Sequence, residues 1–89
     1  MARFESTSRD IVEFQAEGGA PDALFELGLM YASGREVERD FISAHKWFNL
    51  AALRGNDEAK RYRLELSSEM SKAEIAHAQR LARAWLSVH

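Results

Sequence analysis

Three histidines, His45, His77 and His89, are the side chains of this sequence best suited to hold a metal ion. Protein zinc sites gather three or four ligands, and two histidines on one helix usually stand four residues apart so that both rings share a face. The three histidines fall in separate segments with no pair at that spacing, and the chain contains no cysteine. The pattern favours hydrogen-bonded or solvated histidines, so we predict neither a metal site nor a cofactor.

Acid–base or nucleophilic catalysis has little support in the sequence. Glu65 and Glu69 stand four residues apart and would share one face of a helix, but a solvated face explains such a pair equally well. Ser67, Ser68 and Ser71 fall near predicted helix ends, where capping of the backbone is the simpler interpretation. Since there is no glycine-rich phosphate loop and no nucleophile motif, we predict that the protein is not an enzyme.

Composition points to one small helical domain. The chain has 89 residues, 46% of them hydrophobic, with a single proline and many good helix formers. The chain has twelve basic and fourteen acidic residues, and glutamates alternate with the basic residues of the C-terminal half, a pattern that argues against nucleic-acid binding. No apolar run is long enough for a signal peptide or a membrane span, and we expect a cytoplasmic protein.

Helix start and stop signals divide the chain into five predicted helices. The first runs from about Ser8 to Glu17, with Thr7 as its cap and Ile11, Phe14 and Val12 facing inward. The second begins at Pro21 and stops near Ser33, and the third runs from Phe41 to about Leu53 behind Asp40. The fourth is capped by Asn56 and has one face formed by Ala59, Tyr62, Leu66 and Met70. The fifth opens with a capping box at Ser71 and Glu74 and has an apolar stripe formed by Ile75, Ala78, Ala82 and Trp85.

The helix breaks recur with a period. Gly19 and Gly55 stand 36 residues apart, and each is followed four positions later by an alanine, Ala23 and Ala59. A helix–glycine–helix junction that recurs at such a period is typical of helical repeat arrays.

The middle of the chain resembles the Sel1-like repeat, a relative of the tetratricopeptide repeat with a longer loop between its two helices. The matching motifs are Leu-Gly-x-x-Tyr at 27–31, Gly-x-x-Val-x-x-Asp at 34–40 and Ala-x-x-Trp-Phe-x-x-Ala-Ala-x-x-Gly at 44–55. The resemblance covers residues 20–59, and Glu36 departs from it because the family often has a second glycine there. The tail from Met70 to Trp85 is similar to the closing helix that follows such repeats in some bacterial proteins.

This resemblance implies an all-α fold, a short α-solenoid of about five antiparallel helices with one complete repeat between degenerate units. We predict a single domain over 1–89, with an N-terminal capping helix in 1–19, the complete repeat in 20–56, and a degenerate repeat and closing helix in 57–89. The repeat positions are expected to have structural roles: small residues for close helix approach, large ones to fill the space between helices, and glycines or Asp40 at helix ends. These positions are Leu27, Gly28, Tyr31, Gly34, Val37, Asp40, Ala44, Trp47, Phe48, Ala51, Ala52, Gly55 and Ala59.

The second helix has a further apolar stripe that the repeat does not explain, formed by Phe25, Leu29 and Ala32. In one interpretation the fourth helix covers this stripe through Tyr62 and Leu66; in the other it stays accessible and receives an apolar segment of a partner. We therefore predict a protein–protein interaction module, an adaptor or assembly scaffold that uses the groove and end faces of the array, with Phe25, Leu29, Ala32 and Tyr62 as partner-binding candidates. Homo-oligomerisation is a further expectation, and the alternative is a small-ligand or nucleic-acid binder that uses the same groove.

Overall fold

The computed structural model describes residues 8–89, which form five α-helices and no strand. The helices are α1 (Ser8–Glu17), α2 (Pro21–Ser33), α3 (Phe41–Leu53), α4 (Asp57–Ser67) and α5 (Lys72–Val88). All five predicted helices are confirmed, although α4 ends before Met70. The predicted cap Thr7 lies outside the described residues.

Side-chain caps fix where three of the helices begin. Asp40 accepts hydrogen bonds from the backbone amides of Ile42 and Ser43 at the start of α3. Asn56 accepts from the Ala59 amide at the start of α4, and its own amide group donates to Asp22 of α2 at 3.1 Å. Ser71 and Glu74 form the predicted capping box of α5. These bonds satisfy amides that a helix leaves unpaired in its first turn, so the loops hold a defined direction.

Two loop residues hold left-handed backbone conformations in the α2–α3 connection. Gly34 has φ 80° and donates its amide hydrogen to the Met30 carbonyl, which ends α2 as predicted. Glu36 has φ 64° and is the one non-glycine residue with positive φ among residues 8–89. An L-residue adopts this conformation only at the expense of backbone strain, which glycine would not have.

The fold is all-α, a short helical-repeat solenoid, as predicted. The third helix is central, since α3 packs against α2, α4 and α5, whereas α1 packs against α2. The core contains small residues where helices approach closely and large ones between them: Ala16, Ala23, Leu24, Leu27, Met30, Ala44, Phe48, Leu50, Ala51, Ala59, Leu66, Ala82 and Trp85.

Gly28 permits the close packing of α2 on α3, as predicted, although the group it admits is an aromatic ring. A Cβ atom on residue 28 would overlap the ring of Phe48. The glycine therefore makes room for the ring of Phe48, which is 1% exposed. It does not serve to bring the two helix backbones into direct contact.

The inward face predicted for α1 was wrong at two of its three residues. Ile11 is 51% exposed and Phe14 is 81% exposed. The face that meets α2 is instead formed by Ala16, which is buried, and Val12, which is half-buried. Val12 and Ala16 are one helical turn apart, and small residues on this face let α1 lie close to α2.

Candidate interaction surfaces

The second apolar stripe of α2 lies beside α4. Phe25, Leu29, Ala32 and Tyr62 are all half-buried, and we call this surface the α2–α4 face. The rings of Phe25 and Tyr62 meet edge to face with 5.2 Å between their centroids, and Phe25 also lies 5.7 Å from Phe48. Tyr62 thus covers part of the stripe, while each of the four side chains keeps some contact with solvent.

The repeat positions divide between core and surface. Leu27, Phe48, Ala44, Ala51 and Ala59 are buried in one cluster. The remaining large repeat residues, Tyr31, Val37 and Trp47, are half-buried and pack against that cluster from outside, as does Ala52. Val37 thereby holds the α2–α3 loop against the helices.

A recess of about 230 Å³ opens where α1 and α5 approach the repeat. Three aromatic residues line it, Tyr31, Trp47 and Trp85, and the two indole rings are nearly perpendicular with 6.3 Å between their centroids. The rest of its lining comes from Leu27 of α2 and from Glu13, Ala16 and Glu17 of α1. We call this cavity the aromatic recess.

Three residues that line the aromatic recess each contact a cationic side chain of the protein. Lys46 places its ammonium 3.9 Å from the centre of the Trp47 ring, and Arg54 lies 5.8 Å from the centre of the Trp85 ring. Burial lowers the pKa of Lys46. Arg9 donates from Nε to Glu13 at 2.9 Å across an exposed ion pair. Each of these contacts pairs a positive charge with an aromatic face or a carboxylate, the two groups that attract cations.

His89 joins α5 to α1 at the edge of the aromatic recess. Its ring lies parallel to that of Trp85, with 4.0 Å between centroids, and its nitrogens face the Trp85 carbonyl at 2.9 Å and Glu17 at 3.1 Å. Both partners can only accept, so the doubly protonated imidazolium satisfies both. The hydrogen bond to the Trp85 carbonyl, followed by that to Glu17, raises the pKa of His89.

A larger and more open cavity of about 650 Å³ shares the lining residue Tyr31 with the aromatic recess. Its lining mixes charged and apolar side chains from α1, α2, the α2–α3 loop, α3 and α5: Arg9, Tyr31, Val37, Glu38, Arg39, Asp40, Phe41, Ile42 and Glu74. Tyr31 lines both cavities, so the two form neighbouring parts of one uneven surface.

His45 is buried and hydrogen-bonded, as one of the two sequence interpretations expected. It is 2% exposed, and its Nε2 lies 3.0 Å from the hydroxyl of Ser67. Ser67 donates its hydroxyl hydrogen to the Arg63 carbonyl at 2.8 Å, so Nε2 carries the proton, and Nδ1 has no hydrogen-bond partner among residues 8–89. Burial, followed by the charge of Arg63, lowers the pKa of His45.

The structure keeps the remaining chemically active residues apart. His77 is exposed on α5, and Glu65 and Glu69 are exposed near the end of α4. Among residues 8–89, no three histidines or carboxylates are grouped so that they could hold a metal ion. No helix in this part of the chain has the length and apolar character needed to cross a membrane.

Comparison with known proteins finds one family whose sequence profile matches the middle of the chain. The sequence profile of the Sel1 repeat matches residues 21–56, which span α2, the α2–α3 loop and α3. No curated protein and no solved structure matches the chain significantly.

Proposed function

Because the chain is a Sel1-like repeat protein with its repeat at residues 21–56, we propose that it acts as an adaptor or assembly scaffold. Sel1 repeats generally mediate protein–protein interactions, and their family is typically non-enzymatic. The proposal assigns to this chain the same kind of activity, with binding through surface side chains of the array.

The observation that supports this function best is the α2–α4 face. Phe25 and Tyr62 hold each other edge to face, which fixes two aromatic side chains in place before any partner arrives. Leu29 and Ala32 continue the same surface along α2 and stay half-buried. A rigid, partly exposed apolar surface loses little conformational entropy on association, and its remaining exposed area can be buried by a partner.

Affinity purification with substituted chains tests this proposal. We expect Leu29→Gln to reduce recovery of the specific partner by at least about tenfold, because it places a polar group in the apolar face. Leu64→Gln is the matched control, since Leu64 is 74% exposed on α4 and lies outside the face. Thermal unfolding of both variants establishes that each is folded.

Equal recovery with both variants would show that the α2–α4 face is not the binding surface.

Sedimentation of the purified chain tests whether the partner is a second copy of the same chain, because no other protein is present to associate with it. Phe14, 81% exposed on α1, gives the array an apolar end face for self-association. Reduced association of Phe14→Gln would identify that end as the contact.

A further inference from the structure

We propose that the aromatic recess binds the guanidinium group of an arginine side chain from the partner protein. This inference rests on the proposed function, because the arginine belongs to a bound protein. The aromatic recess would be a second contact with that protein, on a different side of α2 from the α2–α4 face.

The size of the recess suits a single side chain. The recess, at about 230 Å³, has room for part of one long side chain and is too small to take a helix. Leu27 and Ala16 provide apolar contacts for the methylene groups of such a chain.

The walls of the recess attract a flat cation. Tyr31, Trp47 and Trp85 present aromatic rings, whose faces are electron-rich, and the two indoles stand at 82° to each other. A planar guanidinium can stack on one ring while it meets the edge region of the other, an arrangement that a compact ammonium does not match.

Two carboxylates line the recess and offer acceptors for a guanidinium. Glu13 and Glu17 line it from successive turns of α1, so both point to the same side of the helix. Glu13 is held by Arg9 in an exposed pair, with side chains 46% and 40% exposed, respectively for Arg9 and Glu13. An exposed pair of this kind contributes little to stability and exchanges readily for an incoming cation.

The protein's own His89 shows the same chemistry beside the recess. Its ring stacks on Trp85 and its Nε2 donates to Glu17, so aromatic face and carboxylate already act together on a cationic ring. Lys46 likewise rests on Trp47 without lining the recess. In the proposed complex the guanidinium would pack on the rings of Tyr31 and Trp47 and donate to Glu13. These are the same kinds of contact that His89 makes with Trp85 and Glu17.

Tryptophan fluorescence tests the inference directly, because the chain has two tryptophans and both line the recess. The probes are capped pentapeptides Gly-Gly-Xaa-Gly-Gly in which Xaa is arginine, lysine, norleucine or glutamate. We expect a saturable change with the arginine peptide, weaker binding of the lysine peptide, and at least about tenfold weaker binding of norleucine and glutamate.

A charge-matched pair of variants separates the recess from general electrostatics. Glu13→Gln with Glu17→Gln should weaken arginine binding by at least about fivefold. Glu65→Gln with Glu69→Gln is the control, since these exposed glutamates also stand four residues apart, Glu65 in α4 and Glu69 just after it, and lie outside the recess. The control should bind as the wild type does, and far-ultraviolet circular dichroism checks that both variants are helical.

Three results would overturn the inference: no saturable change with arginine, equal binding of norleucine, or equal losses in the two variants. None of them bears on the proposed function, which is judged by partner recovery with Leu29→Gln. A fourth result would also contradict the inference: the arginine peptide binds, but Glu13→Gln/Glu17→Gln recovers as much partner as the wild type. The recess would then be a cation site that the partner does not contact.

Discussion

The ring of Phe48 fills the space that a side chain on Gly28 would need. Gly28→Ala should therefore lower the free energy of unfolding by about 1–3 kcal/mol, because Phe48 must leave its rotamer or α2 must move away from α3. Gly18→Ala is the control, since a Cβ there would meet its nearest atom at an ordinary 3.5 Å and its φ is not positive. Urea unfolding measures both; a loss of stability below about 0.5 kcal/mol for Gly28→Ala would contradict the packing described.

The α2–α3 loop should become more stable when its strained residue is replaced by glycine. Glu36 holds φ 64°, a conformation that costs an L-residue about 1–2 kcal/mol. Part of the gain is offset because Ser8 would lose its hydrogen bond to the Glu36 carboxylate. We expect Glu36→Gly to raise the unfolding free energy by about 0.5–1 kcal/mol, whereas Gly34→Ala, at φ 80°, should lower it by about 1 kcal/mol. Changes of the same sign in the two variants would be inconsistent with this account.

Acid should weaken the packing of α3 on α4 through His45. Burial lowers the pKa of this histidine below the ordinary value of 6.5, so the unfolded chain takes up a proton more readily than the folded one. The stabilising contribution is complete above about pH 6.5 and declines as the pH falls below it.

His45→Gln provides the comparison for this pH dependence. Glutamine can still donate to Ser67 but does not titrate, so the stability of the wild type relative to the variant should fall between about pH 7 and pH 5. Other titrating groups are common to both proteins and cancel in the difference. Thermal unfolding across this range measures it, and parallel curves would show that His45 does not carry the effect.

The contact between His89 and Glu17 should titrate in the opposite direction. Hydrogen bonds to the Trp85 carbonyl and to Glu17 raise the pKa of His89, so this contact stabilises the fold below about pH 6.5 and is lost as the pH rises through the folded pKa. Nuclear magnetic resonance of the imidazole should show that Glu17→Gln moves the pKa back towards its ordinary value. Glu65→Gln should leave it unchanged, because Glu65 is exposed on α4.

Most of the helix boundaries could be predicted because their signals are local. Asp40, Asn56 and Ser71 each cap a helix with atoms two or three residues away, and the bonds found are those that the sequence indicates. Gly34 and Gly55 hold positive φ where the spacing of the repeat places helix ends.

Helix faces outside the repeat were harder to predict, since they depend on how neighbouring helices are rotated. In α1, hydrophobicity favoured Ile11 and Phe14 as inward residues, but the short helix meets α2 through Val12 and Ala16. Periodicity alone could not choose between these faces, because apolar residues occur on both.

The aromatic recess could not be predicted at all from the sequence. Its walls come from helices far apart in the chain, and the contact that closes its edge joins Glu17 and His89 across 72 positions. In the sequence, Trp47 belongs to the repeat and Trp85 to the apolar stripe of the fifth helix, and no local signal links the two. The proximity of the two indole rings depends on how the helices between them are arranged.

The contact between Glu17 and His89 also affects how cooperatively the protein unfolds. In a linear repeat array each unit touches its neighbours alone, so the ends can fray while the middle stays folded. Here a hydrogen bond links the first described helix to the residue that follows the last, and α3 packs against three other helices. We therefore expect melting in one cooperative transition, with the amide hydrogens of α1 and α5 exchanging together and not one end before the other.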